Sequence, residues 1–236
     1  MTSVSRLETD DDVAGFLARY APGSCVGQPG RYCLAVRRST ENPRLVVREL
    51  FGKPAVVEHE LEMTRAVAAL DDGDAIAPRV EALAIFAPAS TNRARGWIVC
   101  ERLAPLARLE LSGAAILRML QNVQALHERG IFHGNLHTRN LMRRVKTREI
   151  LITDFGRAVR VDRAVDPTLA RRWAERDWLV LCSRLRRICP IPRAIVNACA
   201  ASGAVDAATA RHWLEDERGR RFSASAVYPG YEMNLA

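Results

Sequence analysis

Three polar side chains, His133, Asn135 and Asn140, fall within one short stretch of the sequence, and Asp154 follows 14 positions after Asn140. The stretch reads LHERGIFHGNLHTRNLM and then, after a polar break, ILITDFG. Phosphoryl transfer uses metal ions that bridge nucleotide phosphates and are held by oxygen ligands from the protein. An Asn amide oxygen and an Asp carboxylate, brought together by a short hairpin, suit that task. Taken alone, Asp154-Phe155-Gly156 is an ordinary turn sequence. Its weight comes from the H-x-x-L-x-x-x-N loop that precedes it at this distance.

The elements that must position these residues can be read from punctuation and period. Gly and Pro divide the first hundred residues into short strands. Tyr32–Val36 and Arg44–Leu50 read as strands joined by the turn Ser39–Pro43. A helix is expected over Ala55–Leu70, with Val56, Met63, Val67 and Leu70 forming its apolar stripe. Glu60 lies on that stripe, an unusual place for a carboxylate. Strands at Arg79–Phe86 and Trp97–Arg102 flank a polar loop. Beyond them the chain turns helical: Ile116, Leu120, Val123 and Leu126 mark one face of a helix that Gly130 ends. Short strands at Leu141–Met142 and Ile150–Thr153 flank the turn Arg143–Arg148. Helices follow at Trp173–Ile188 and Ala207–Glu217, the latter with Asp206 as N-cap, while Phe222–Ala236 shows no strong period. The pattern predicts an α+β domain with a strand-rich part, 1–103, and a helical part, 104–236. Ligands usually sit at such a junction.

Composition narrows the function class. A chain of 236 residues that is 48% hydrophobic can bury a substantial core and is not expected to be disordered. No apolar run approaches the ~20 residues that span a bilayer, and the acidic start MTSVSRLETDDD does not read as a secretory signal. The expected location is the cytoplasm, with association at an inner membrane or export as an effector as alternatives. The six cysteines form no C-x-x-C pair and are expected to be buried free thiols. Net charge is +8, and all but Lys53 and Lys146 of the 35 basic residues are Arg. Such a surface attracts anions, but without an aromatic-interleaved basic stripe no dedicated nucleic-acid binding is expected.

From roughly Gly23 to Arg187 the chain resembles the protein-kinase superfamily, in the compact form shared by bacterial and small-molecule kinases. The loop around His133–Asn140 and the Asp154-Phe155-Gly156 triplet are the specific part. The resemblance implies a two-lobed fold, with a small antiparallel β-rich N-lobe bearing one helix and a mainly helical C-lobe. It implies ATP and Mg2+ as cofactors, Asn140 and Asp154 as metal ligands, and Asn135 at the position of the catalytic aspartate. His133 and Asp177 become structural supports, with Asp177 bracing the loop from below. WIVCERL is similar to the last small-lobe strand and hinge, which puts Cys100 at the gatekeeper position and the Glu101 and Leu103 backbone near adenine. Gly23–Gly30, with Gly27 and Gly30, becomes a phosphate-covering loop, although Pro29 breaks the regular glycine spacing.

Three departures from the family pattern matter. The strand lysine that pairs with phosphates is missing: Lys53 falls in a turn between Gly52 and Pro54, and Arg48 is the better fit. Arg48 could contact both phosphate and Glu60, unless Glu60 is simply a solvated helix residue, but Arg and Lys are not equivalent there. Asn135 is neutral and cannot accept a hydroxyl proton as a carboxylate does. It is either the residue of a natural pseudokinase or an isosteric Asp→Asn change that silences an enzyme. Finally, Asp177 comes only 21 positions after Gly156, with no A-P-E signal between. That short segment, together with His137, is similar to lipopolysaccharide-core, aminoglycoside and sugar kinases. The resemblance thus implies an ATP- and Mg-dependent phosphotransferase to a hydroxyl, with a small-molecule or glycolipid acceptor. The alternatives are a compact protein kinase or effector kinase with a protein substrate, and a pseudokinase that works as a binding module.

Overall fold

The computed structural model describes residues 2–27, 33–70, 76–106 and 113–188. Strand-forming runs in the first hundred residues assemble one six-stranded sheet. In chain order its strands are β1 (Val4–Leu7), β2 (Pro22–Cys25), β3 (Cys33–Ser39), β4 (Leu45–Gly52), β5 (Val80–Phe86) and β6 (Ala94–Glu101). Their spatial order is β1-β5-β6-β4-β3-β2. The expectation of an antiparallel sheet needs correction, because β1 pairs parallel to β5, with Val4 opposite Leu83 and Leu7 opposite Phe86. The sheet is therefore mixed.

The period of two along each strand sorts side chains onto two faces. Val47, Ala84, Trp97 and Val99 face one way and pack with Phe16, Leu17 and Tyr20 of helix α1 (Asp10–Tyr20). Val46, Leu50, Leu83, Ile85, Ile98 and Cys100 face the other way and pack with Val57 and Leu61 of helix α2 (Pro54–Ala68). α1 is a second correction, since one helix was expected in this part. It starts at a capping box in which the Thr9 side chain accepts from the Asp12 N–H and the Asp12 carboxylate accepts from the Thr9 N–H.

After Glu101 a single residue, Arg102, separates the large sheet from strand β7 (Leu103–Pro105). Then come α3 (Gly113–Glu128), β8 (Ile131–Phe132), β9 (Leu141–Arg144), β10 (Ile150–Ile152), β11 (Val159–Arg160) and α4 (Pro167–Ile188). β10, β9 and β7 form a three-stranded sheet, and β11 pairs with β8. The core here joins Ile116, Leu120, Val123 and Leu126 of α3 to Leu136, Ile152, Phe155, Trp178 and Leu185. Met63 and Val67 of α2 belong to this same core, so α2 has one apolar side for the sheet and another for the helical part. Apolar burial on both sides, at ~25 cal/mol per Å2, fixes its position between them. The architecture is α+β, a mixed multi-stranded sheet with four α-helices among the described residues. No described helix is long and apolar enough to cross a membrane.

Cys100 is buried and Cys33 half-buried, but Cys25 is exposed at the end of edge strand β2 and corrects the expectation of buried thiols. Gly30, the helix expected over Ala207–Glu217 with Asp206, Phe222–Ala236, Cys189, Cys199 and the Cys182 side chain lie outside the described residues.

Candidate functional site

The loop after β8 is organised from beneath by Asp177, a buried residue of α4. Its carboxylate accepts from the His133 N–H at 2.7 Å, the Gly134 N–H at 2.9 Å and the His127 ring Nε2 at 3.1 Å. Gly134 has φ +71°, and a Cβ there would meet the Arg157 carbonyl oxygen at 2.4 Å. Glycine is required on both counts. The His133 ring then spans the loop: Nε2–H donates to the Thr153 carbonyl at 3.0 Å and Nδ1 accepts from the Asn135 N–H at 3.2 Å. These two bonds assign one neutral tautomer. The ring also packs against Phe155, with centroids 5.2 Å apart.

Asn140 ends a short 3-10 turn, Thr138–Asn140, and is buried. Its amide nitrogen donates to the Asn135 carbonyl at 3.0 Å, which directs Oδ1 elsewhere. The Thr153 N–H and hydroxyl both reach the Asn140 carbonyl, at 2.9 and 3.2 Å. The β9–β10 hairpin is thereby closed so that Asp154 follows directly from a residue bonded to Asn140. Asp154 has φ +67°, a left-handed conformation uncommon for residues other than glycine. Its side chain is 43% exposed. Such strain persists only where neighbours hold it, and it clusters at functional positions.

Arg48 reaches this turn from the sheet. Two-residue alternation puts it on the α2 face of β4, between Val46 and Leu50. Its Nη2 lies 3.1 Å from Glu60 Oε1 and 3.8 Å from Asp154 Oδ1. Burial works against the guanidinium cation, but Glu60 and then Asp154 outweigh it and hold its pKa above the ordinary value. Burial pushes the Glu60 carboxyl upward against the pull of Arg48, and the like charge of Asp154 adds to the rise. Glu60 is thus no solvated helix residue; its place on the apolar stripe is explained by a buried ion pair. A Cβ at Gly156 would stand 2.8 Å from Glu60 Oε2, so α2 rests its carboxylate on the turn after Asp154. One residue earlier on the same helix, the His59 Nε2–H donates to the Ala158 carbonyl at 2.8 Å.

Other expected site residues fall less simply. The glycine-rich segment starts as strand β2, and the Val26 N–H still bonds to Val36 on β3. That corrects a loop opening at Gly23. At Gly27 a Cβ would lie 3.0 Å from the Val36 Cβ, a close approach to β3 that favours glycine at this position. Lys53 is the N-cap of α2, with Pro54 as its first residue. The Glu101 carboxylate is committed: Arg144 donates to it at 2.7 and 3.0 Å and the Arg79 N–H at 2.9 Å. Leu103 pairs with Arg144 across β7 and β9. Burial lowers the His137 pKa. The sequence reading missed His59, His127 and Arg144, because a partner 43 or more positions away leaves no local signature.

Among the described residues no group of three or more His, Cys, Asp or Glu side chains could hold a metal ion. The donors present are the Asn140 amide oxygen and the Asp154 carboxylate. Were a divalent ion bound at this turn, these two side chains are the oxygen donors that could hold it. Neither models of known protein families nor curated proteins give any match to this chain.

Proposed function

We propose that this chain is a two-lobed, kinase-like nucleotide-binding domain whose site lies between the six-stranded sheet and the helical part. ATP is the nucleotide, and Mg2+ enters with it on Asn140 and Asp154. The convergence of Arg48, Glu60 and Asp154 carries the reading. Arg48 on a strand lies 3.1 Å from Glu60 on a helix and 3.8 Å from Asp154 in a strained turn, and its guanidinium is the group here that would bind phosphate. Arg48 would donate to phosphate oxygens, charge-assisted and with planar fork geometry. The chemistry is phosphoryl transfer to a hydroxyl, with a small-molecule or glycolipid acceptor favoured over a protein. Asn135 can orient such a hydroxyl but not take its proton, so transfer is slow.

The second reading, a pseudokinase that binds nucleotide and acts through partners, is favoured by Asn135 itself. Two measurements separate the possibilities. Mg·ATP at about a hundred times its dissociation constant should stabilise the native chain by ~2.7 kcal/mol, or about 5–10 °C in melting temperature for a domain of this size. Absence of any shift defeats both readings. Asn135→Asp should then raise ATP turnover with sugar or glycolipid acceptors by about 100-fold or more; binding without any gain leaves the pseudokinase.

A further inference from the structure

A cavity of ≈ 830 Å3 opens where α2 ends, bounded by α1, β1 and β5 on one side and by β8, β11 and the turn after α3 on the other. None of Arg48, Glu60, Asn135, Asn140 and Asp154 lines it. We propose that this cavity is a binding site for a small organic phosphate, a phosphate monoester on an apolar or aromatic body, separate from the nucleotide site and independent of that reading. Its volume falls within the ~300–1,000 Å3 of small-molecule sites. The space exists because the chain supplies short side chains there. Ala66, Ala68, Ala69 and Ala77 each contribute only a methyl group to the lining.

Two kinds of surface meet in this cavity. Val67, Ile76, Leu83 and Ile131 are buried residues that give it an apolar wall. Arg19, Arg65 and Arg79 line it from the sheet part, and Arg129 and Arg160 from the helical part. Arg65 pairs with Glu62 at 2.6 Å and Arg79 with Glu81 at 3.2 Å, both at exposed positions where such pairs contribute little. Arg129 donates to the Ala125 carbonyl at 3.2 Å. The Arg19 and Arg160 side chains make no ion pair or hydrogen bond among the described residues. Arg160 stands opposite Ile131 across β11 and β8, so both side chains lie on one face of that pair. Net charge does not decide the matter, because Asp71, Asp72 and Asp74 stand in the chain between the lining residues Leu70 and Ile76. The two unpaired guanidinium groups beside an apolar wall do. Low local dielectric there strengthens a charge-assisted bond, and the planar fork matches phosphate oxygens. A dianionic phosphate engages more than one guanidinium, while its apolar body covers the wall.

Isothermal titration of the full chain with 1-naphthyl phosphate tests this, with 1-naphthol and inorganic phosphate as the two halves of the probe. The expected result is that the ester binds at least about tenfold more tightly than either half. The double variant Arg19→Glu, Arg160→Glu should weaken it by more than about tenfold. Absence of binding overturns the proposal. So does naphthol binding as well as the ester, which would leave an apolar cleft only, or inorganic phosphate binding as well, which would leave a surface charge effect only. Ester binding that survives the double variant places the probe elsewhere and also refutes the site. Both positions are exposed, so the fold should persist, as a melting curve shows. Were the charge-reversed chain to lose its melting transition, Arg19→Gln with Arg160→Gln gives the same comparison without added negative charge.

Discussion

Asp177→Ala should be among the most damaging single substitutions in the helical part. The residue is 1% exposed and accepts three N–H groups, from His133, Gly134 and the His127 ring. Alanine leaves all three donors without that acceptor in a closed space. A buried donor stripped of its acceptor costs ~1–3 kcal/mol. Relaxation and entry of water reduce the sum, and breaking a buried charged network typically costs ~3–5 kcal/mol. About 4 kcal/mol is a large fraction of the ~5–15 kcal/mol that holds a domain together, and it corresponds to a melting temperature lower by about 8–16 °C.

Asp177→Asn provides the calibrating comparison. With its oxygen toward His133 and His127, the amide keeps two of the three bonds and turns its NH2 toward the Gly134 N–H, for a loss of ~1–3 kcal/mol. Glu175→Ala, on the same helix, removes only an exposed pair with Arg171 and should cost less than ~0.5 kcal/mol. Urea unfolding with linear extrapolation yields all three values, and amide exchange reports whether the Gly134 N–H loses protection. A loss below ~1 kcal/mol for alanine, or equal losses for alanine and asparagine, would refute the bracing role.

Gly134→Ala should destabilise by ~2 kcal/mol or more, because a left-handed φ and a 2.4 Å approach to the Arg157 carbonyl coincide. Gly15→Ala, inside α1 with nothing within 4 Å of the added methyl, should instead stabilise by ~0.5–1 kcal/mol; thermal melts read both. Among the three described cysteines, iodoacetamide should label exposed Cys25 first and Cys100 last, as followed by peptide mass spectrometry, since burial pushes the Cys100 thiol up to about 11. The unfolded Cys100 thiol ionises near its ordinary value of 9.0, before the folded one. The unfolded state then binds fewer protons, so Cys100 contributes a fall in stability as pH rises from about 9 to about 11. Cys100→Ala should flatten that slope in denaturant titrations across the interval.

Much of the site was legible because its positions obey short periods. Alternation along Val46–Leu50 puts Arg48 on the α2 face, and the stripe Val56, Met63, Val67 carries Glu60 toward the same place. What escaped the sequence is non-local. β1 has four residues, too few for a reliable alternation, and its partner β5 begins 76 positions after it. α1 does carry a readable stripe, Val13, Phe16, Leu17 and Tyr20 at helical spacing. The acidic run Asp10–Asp12 disguises that helix start as a charged tail, although acidic residues in a first turn favour the helix dipole. Gly27 has a close neighbour of its own, since a Cβ there would lie 3.0 Å from the Val36 Cβ, and that contact between β3 and the end of β2 could not be read from glycine spacing. Glu101 ends β6 and its carboxylate is taken up by Arg144, a pairing across 43 positions that leaves no mark in the sequence.

The two departures at the heart of the site are best understood together. On the kinase-like reading, Asn135 leaves the loop without a negative charge at that position, and Arg48 supplies a cation held between Glu60 and Asp154. Each change alone would unbalance a site that depends on a base and a mobile metal. On the function proposed above, the two together would favour retaining phosphate over activating a hydroxyl. Restoring a carboxylate by Asn135→Asp should therefore do more than supply a base. It adds an anion near Asp154 and should make ATP binding depend more steeply on Mg2+ than in the parent chain. Titration of the Asn135→Asp chain with and without EDTA measures that coupling. An unchanged metal dependence would mean that a charge at position 135 lies outside the field that draws in the cation.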